Sequence, residues 1–269
     1  MAKARTQASA TIVNAIPANL GGAYGLELFC EVEVRLEDKG TEIVDISKNI
    51  DSKLVVECVK EVFRRCNEKG GFFISVRSEI PVACGLSSSN AVANGAVLAA
   101  FHELGVEKYG IDIVKIASEV SIKTGFSITG AFDDGCASYF GGYVLTDNRN
   151  FKIIDKGEIE ELDALIKVGE SAYTKDTDVK SLKILKNYSK KLFEIAKKDI
   201  FRASTINGYL ISTALGYSVE YETEMLLRGA RCSALSGTGS AVVTLFDRKE
   251  NVKYDIKTKT SNREAKVWA

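Results

Sequence analysis

The stretch Ile80-Pro81-Val82-Ala83-Cys84-Gly85-Leu86-Ser87-Ser88-Ser89-Asn90 constrains this chain most: a strand pattern ends, a glycine and three hydroxyls follow, and a helix begins. Before it, Phe72, Ile74 and Val76 alternate as in a short strand, and Pro81, which has no ladder donor, closes it. After it, residues 91–101 are apolar on nearly every face, the mark of a buried helix. Ser88 or Ser89 is the expected N-cap. Such a helix start aims unpaired N–H groups at its loop, and Gly85 lets the backbone approach an anion closely. The expectation is a phosphate site. The helix dipole alone supplies only about 0.3–1 kcal/mol, so loop amides, hydroxyls and a metal must add the rest. Read alone, the same segment is equally a serine-rich cap. It has neither the Gly-Lys-Ser/Thr ending of the Walker loop nor a Gly-x-Gly-x-x-Gly fingerprint elsewhere in the chain to support it.

Two further segments carry chemistry. Residues 129–138 set Asp133 and Asp134 side by side, with Gly130 and Gly135 flanking, ahead of Gly141-Gly142. One carboxylate can orient or deprotonate an alcohol while the other binds metal or holds the loop; the plain alternative is an Asp-Asp-Gly turn. Late in the chain, Ser236-Gly237-Thr238-Gly239-Ser240 precedes an apolar strand pattern. It reads as a tight hairpin or as backbone passing close to another backbone or to a ligand.

Composition excludes several classes. Lys plus Arg equals Asp plus Glu at 36 each, which gives no reason to expect nucleic acid or an anionic membrane as a partner. No apolar run reaches membrane-spanning length and the N-terminus lacks a signal-peptide core, so a cytoplasmic protein is expected. Six dispersed cysteines without a Cys-x-x-Cys pair, and the single histidine His102, argue against zinc and for reduced thiols. Cys84 lies inside the expected phosphate loop, where alkylation would block it.

The element order is mixed. Residues 3–14 and 23–36 read as paired strands turning at Gly21-Gly22, residues 51–67 as a helix, and residues 112–120 as another, followed by an irregular loop to 135. Strands are expected at 143–146, 163–168 and 241–246, weaker ones at 252–258 and 264–268, and three helical segments between 179 and 227. With 269 residues and 45% hydrophobic content, the reading is an α+β protein of two lobes, 1–150 and 151–269, closely joined around a cleft.

Taken together and in order, the Pro81–Ser89 segment, the aspartate segment before Gly141-Gly142 and Ser236–Gly239 resemble the three motifs of the GHMP kinases. Ala10-Thr11-Ile12-Val13-Asn14-Ala15-Ile16 and Thr129–Asp134 with Ala137–Gly142 further resemble archaeal-type shikimate kinases. The resemblance implies a two-lobed GHMP fold and transfer of the ATP γ-phosphate to the 3-hydroxyl of shikimate in aromatic amino-acid biosynthesis, with Mg²⁺. Other GHMP alcohols (homoserine, mevalonate, pantoate) or a non-catalytic binding role are the alternatives. It places Ile80–Asn90 around the ATP phosphates, Ser88 or Ser89 by the metal, and Gly237, Thr238 and Gly239 in support of the phosphate loop. Counting back from Gly141 favours Asp134 over Asp133 as the catalytic aspartate. Glu119 is the nearest acid that could serve the metal. Shikimate's carboxylate and hydroxyls call for a cation and short polar groups: Asn14, Thr129 and one of Arg202, Arg231 or Arg263. Many such relatives carry Gly-Lys-Gly after the Asn-Ala-Ile segment, where this chain has Asn19-Leu20-Gly21-Gly22, so a lysine beside the aspartate is missing from that place.

Overall fold

In the computed structural model, which describes residues 1–46, 51–169, 182–248 and 250–269, the fold grows from a long antiparallel pair. Strand β1 (Ala2–Val13) pairs with β2 (Leu20–Glu37) along nearly its whole length. From Thr6 onward every β1 residue is buried, because helices cover both its faces. Around this pair the order β11-β1-β2-β4-β3 forms, with β5 (Tyr143–Asp147) also on β2 and β6 (Lys152–Gly157) on β5. Here β3 is Glu42–Ile46, β4 Gly71–Ser78 and β11 Lys266–Trp268.

The helices of this half follow the expected patterns. Helix α1 (Ser52–Arg65) buries Leu54, Val55, Cys58, Val59, Val62 and Phe63 at helical spacing, and the Asp51 side chain caps it by accepting from the Lys53 N–H. Helix α2 (Ser88–Glu103) is buried on almost every side, packed between β1 and β2, α1, and α3 (Ile111–Lys123). His102 lies in its last turn. Helix α4 (Phe132–Phe140) completes the layer.

The remainder is a four-stranded sheet, β10-β7-β9-β8, of Ile256–Lys259, Asp163–Lys167, Val242–Phe246 and Cys232–Leu235. Against it and β1 pack α5 (Lys186–Ala196), α6 (Ile200–Leu215) and α7 (Glu220–Leu227). The Ser204 hydroxyl of α6 donates to the Thr11 carbonyl at 2.9 Å, fastening the two halves. Among the described residues no helix is long and apolar enough to cross a membrane.

Several expectations need correction. Gly21-Gly22 is not a turn: both lie inside β2, opposite Thr146 and Leu145 of β5, and the chain reverses at residues 14–19, where Asn19 has φ 57° and donates to the Ala15 carbonyl. The irregular loop is shorter than expected, because α3 runs on to Lys123 and the two aspartates open α4; acids in a first turn are favoured by the helix dipole. Strands β3 and β6 gave no apolar alternation, since charged residues interrupt both edge strands. A boundary at residue 150 does not match a break between sheets, since β6 and β11 both join the first one. The start of the expected run of helices, at 179–181, lies outside the described residues.

Candidate active site

Helices α2 and α4 both begin at one cleft of about 470 Å³, lined also by the start of α1, the end of α3 and the loop Gly237–Gly239. The N-cap of α2 is Ser87, not Ser88 or Ser89. It is left-handed (φ 61°), and its side chain caps nothing in the helix. The Ser87 hydroxyl accepts from Ser9 Oγ at 2.6 Å instead. That leaves the first N–H groups of α2 uncapped by any side chain at the cleft wall, the arrangement that suits an anion. Ala83 and Gly85 are left-handed too. Three positive-φ residues within five positions make a strained loop that its surroundings must hold in place.

The late glycine loop does this. Ser236 Oγ donates to the Gly85 carbonyl at 2.7 Å and accepts from the Thr11 N–H, while Gly237 N–H donates to Thr11 Oγ1 at 2.8 Å. Ala241 N–H donates to the Cys84 carbonyl. A Cβ on Gly239 would fall onto the Cys84 and Gly85 backbone, and one on Gly85 onto the Ser236 carbonyl. The two loops are in backbone contact that only glycine permits. Hairpin and close approach, alternatives from sequence, are both true of Ser236–Ser240.

Opposite, α4 presents the two aspartates. Asn90 and Asn94 of α2 donate to the carbonyls of Ala131 and Gly135, each at 2.9 Å, locking α4 to α2. Asp133 is buried, and its Oδ1 accepts from Asn148 Nδ2 at 2.7 Å. Asp134 is half-buried as a residue, and its Oδ1 is buried without a hydrogen-bond partner among the described residues. Burial first, and then the charge of Asp133, hold the Asp134 carboxyl well above the usual carboxylate range, with Ser87 and Ser9 drawing it partly back. Burial also raises Asp133, against the Asn148 hydrogen bond.

The remaining expected residues divide. Pro81, Val82, Ala83, Gly85, Leu86, Ser87, Ser88, Ser89 and Asn90 line the cleft with Gly237, Thr238 and Gly239, whereas Ile80 and Cys84 turn into the core. The buried Cys84 thiol donates to the Val82 carbonyl at 3.3 Å, so it is no open target for alkylation. Asn14 lines the cleft, but its amide is used at both ends: Nδ2 donates to the Gly237 carbonyl and Oδ1 accepts from Ile16 N–H. Thr129 lines it as well. The other candidates lie elsewhere. Glu119 is exposed on α3 and pairs with Arg65 at 2.8 Å. Arg231 is held by Glu160 and Asp247 and covers Phe201; Arg263 pairs with Glu27 over Phe29; and Arg202 is exposed near the start of α6. None of these four lines the cleft.

Sequence reasoning passed over Lys53, the cation that lines the cleft among the described residues, because an exposed lysine in a first helical turn carries no pattern. It also passed over Ser9, Thr11 and Asn148, whose roles depend on partners far along the chain.

Known proteins resemble this chain in sequence and fold. The family described as GHMP kinases N terminal domain matches residues 53–142, which include the loop at 80–90 and both aspartates. The shikimate kinase of Methanothrix thermoacetophila is 40% identical over 240 residues, spanning 89% of this chain and 83% of its own. That of Methanosarcina mazei is 37% identical over 239 residues, spanning 87% and 82%. The crystal structure of homoserine kinase from Cytophaga hutchinsonii matches with a TM-score of 0.74 over 99% of this chain and 96% of that one, at 16% identity, a likeness of fold alone. Identity at this level across most of both chains, joined to the same fold and the three stitched loops, means that the chain belongs to the archaeal shikimate kinases, within the GHMP kinases.

Proposed function

We propose that this protein transfers the γ-phosphoryl group of ATP to the 3-hydroxyl of shikimate. The observation that carries the chemistry is that Asp134, whose Oδ1 is buried without a hydrogen-bond partner, lines the same cleft as the uncapped start of α2; kinship with the archaeal shikimate kinases carries the choice of alcohol. ATP phosphates lie against the α2 N–H groups and the Gly85–Ser87 loop, and the apolar side chains of Leu54, Val82 and Val92 offer a surface for the base.

Asp134 is the acceptor of the substrate proton. The alcohol oxygen attacks the γ-phosphorus, the bond from that phosphorus to the β,γ-bridging oxygen breaks, and its electron pair leaves on ADP. The hydroxyl proton passes to the Asp134 carboxylate. Burial and the neighbouring charge of Asp133 raise this carboxyl, which makes its ionised form a stronger proton acceptor. Asp133, already bonded to Asn148, is the structural partner.

The hydroxyls of Ser88 and Ser89 are hard oxygen donors on the cleft wall, and among the described residues no group of three acids, histidines or cysteines forms a dedicated metal cage. That donor set fits a Mg²⁺ ion carried in on the nucleotide, which keeps phosphate and water as its main ligands. When bound, it neutralises phosphate charge. The reading keeps the expectation of a cytoplasmic biosynthetic enzyme.

Initial rates of ADP release with Mg-ATP and a panel of shikimate, homoserine, mevalonate and pantoate test the assignment. Turnover dependent on shikimate is expected; turnover of another alcohol with none on shikimate refutes it.

A further inference from the structure

Asn148, one residue beyond β5, is buried. Its backbone N–H donates to the Asn19 carbonyl at 2.8 Å, which pins it beside the start of β2. Both ends of its side chain are engaged: Nδ2 donates to Asp133 Oδ1 at 2.7 Å, and Oδ1 accepts from the Thr146 hydroxyl at 2.6 Å. The amide therefore has one workable orientation, since turning it over would set its oxygen against a carboxylate.

The other side of Asp133 is closed by backbone. A Cβ on Gly21 would stand 2.5 Å from the Asp133 carboxyl carbon and 2.9 Å from Ala15 Cβ. Gly21 pairs with Thr146 across β2 and β5, so the wall and the amide stand on adjoining strands of one sheet. Asp133 is thus gripped between them, while Asp134, the next residue of the same helical turn, keeps an oxygen unpartnered. Adjacent carboxylates repel, and left to themselves would splay.

We propose that Asn148 is a positioning residue for the transfer: by gripping Asp133 against Gly21 it fixes the first turn of α4, and so aims Asp134 at the cleft. The inference rests on the reading of Asp134 as the proton acceptor. Its physical basis is that displacing a reacting group by about 1 Å can cost on the order of 10²-fold in rate. Uniform binding of nucleotide, by contrast, does not pass through Asn148.

The test compares Asn148→Leu, similar in size but without the donor; Asn148→Asp, which sets carboxylate against carboxylate; and the exchange Asp133→Asn with Asn148→Asp, which restores an amide–carboxylate pair with the partners reversed. The single variants are expected to lower kcat per folded protein by roughly 10–100-fold, with KM for Mg-ATP within about twofold of wild type. The exchange should recover kcat to within about fivefold of wild type, and it keeps the test decisive if a single variant folds poorly. Unchanged kcat in both single variants, or an exchange no better than Asn148→Asp, overturns the inference. Wild-type turnover of shikimate is measured alongside and tests the functional reading separately; the ratio of variant to wild type tests this one.

Discussion

The Ser236 hydroxyl donates to the Gly85 carbonyl at 2.7 Å across a separation of 151 residues, and the same oxygen accepts from the Thr11 N–H. One side chain therefore ties the loop at 80–90 to the last glycine loop and to β1. Ser236→Ala leaves a half-buried carbonyl and a buried N–H without their partner, which costs about 1–3 kcal/mol. Thermal denaturation should show a lower midpoint, and ATP titration a weaker affinity. Gly239→Ala should be worse on both counts, because its new methyl meets the Cys84 and Gly85 backbone rather than a flexible side chain.

Asp134→Asn should lower kcat by about 10²–10⁴-fold, the usual worth of a general base, without loss of ATP binding. Its stability should move the other way. The Asp134 carboxyl is raised in the folded protein, so the native state holds that proton more tightly than the unfolded chain does. The resulting stabilisation is full below the unfolded value, about 3.9, and is lost as pH rises through the folded value. Asparagine never ionises. The melting temperature of the variant should exceed that of wild type at pH 7–8, and the gain should vanish near pH 4.

Lys53→Met removes a cation from the cleft wall, where Asp51, Asp133 and Asp134 also stand. Because Lys53 is exposed, screening limits its worth to about 0.2–1 kcal/mol. Binding of ATP, followed by calorimetry, should weaken by roughly two- to fivefold, and should become less sensitive to added salt.

Arg202→Ala, Arg231→Ala and Arg263→Ala should each leave kcat/KM for shikimate within about twofold of wild type. Arg231 and Arg263 are occupied by surface ion pairs, and Arg202 projects from the start of α6. A tenfold loss in any of them, seen in initial rates at saturating ATP, would place that guanidinium in substrate binding.

The chain's legibility followed the range of the forces at work. Helices α1 and α2 and strand β4 were readable because apolar spacing is a local property. The loop at 80–90 was readable as a helix entry on the cleft because its glycine and hydroxyls stand together in the sequence. What escaped was set by distant partners. The hydroxyl of Ser87, the N-cap residue of α2, is engaged by Ser9, 78 positions away, rather than by the helix. The aspartates opened a helix rather than a loop, with Asn90 and Asn94 of α2 holding that helix's first carbonyls. Asn148 carries no signal in its own neighbourhood, and the arginines could be sorted from one another only by where their partners lie.

Identification of the product tests the central claim most directly. The wild type with Mg-ATP and shikimate, followed by ³¹P NMR with correlation to protons, should yield ADP and one new phosphomonoester coupled to the proton on carbon 3 of shikimate, with Asp134→Asn nearly silent under the same conditions. A phosphoryl group on another hydroxyl, no phosphorylated shikimate at all, or full activity in Asp134→Asn would contradict the account.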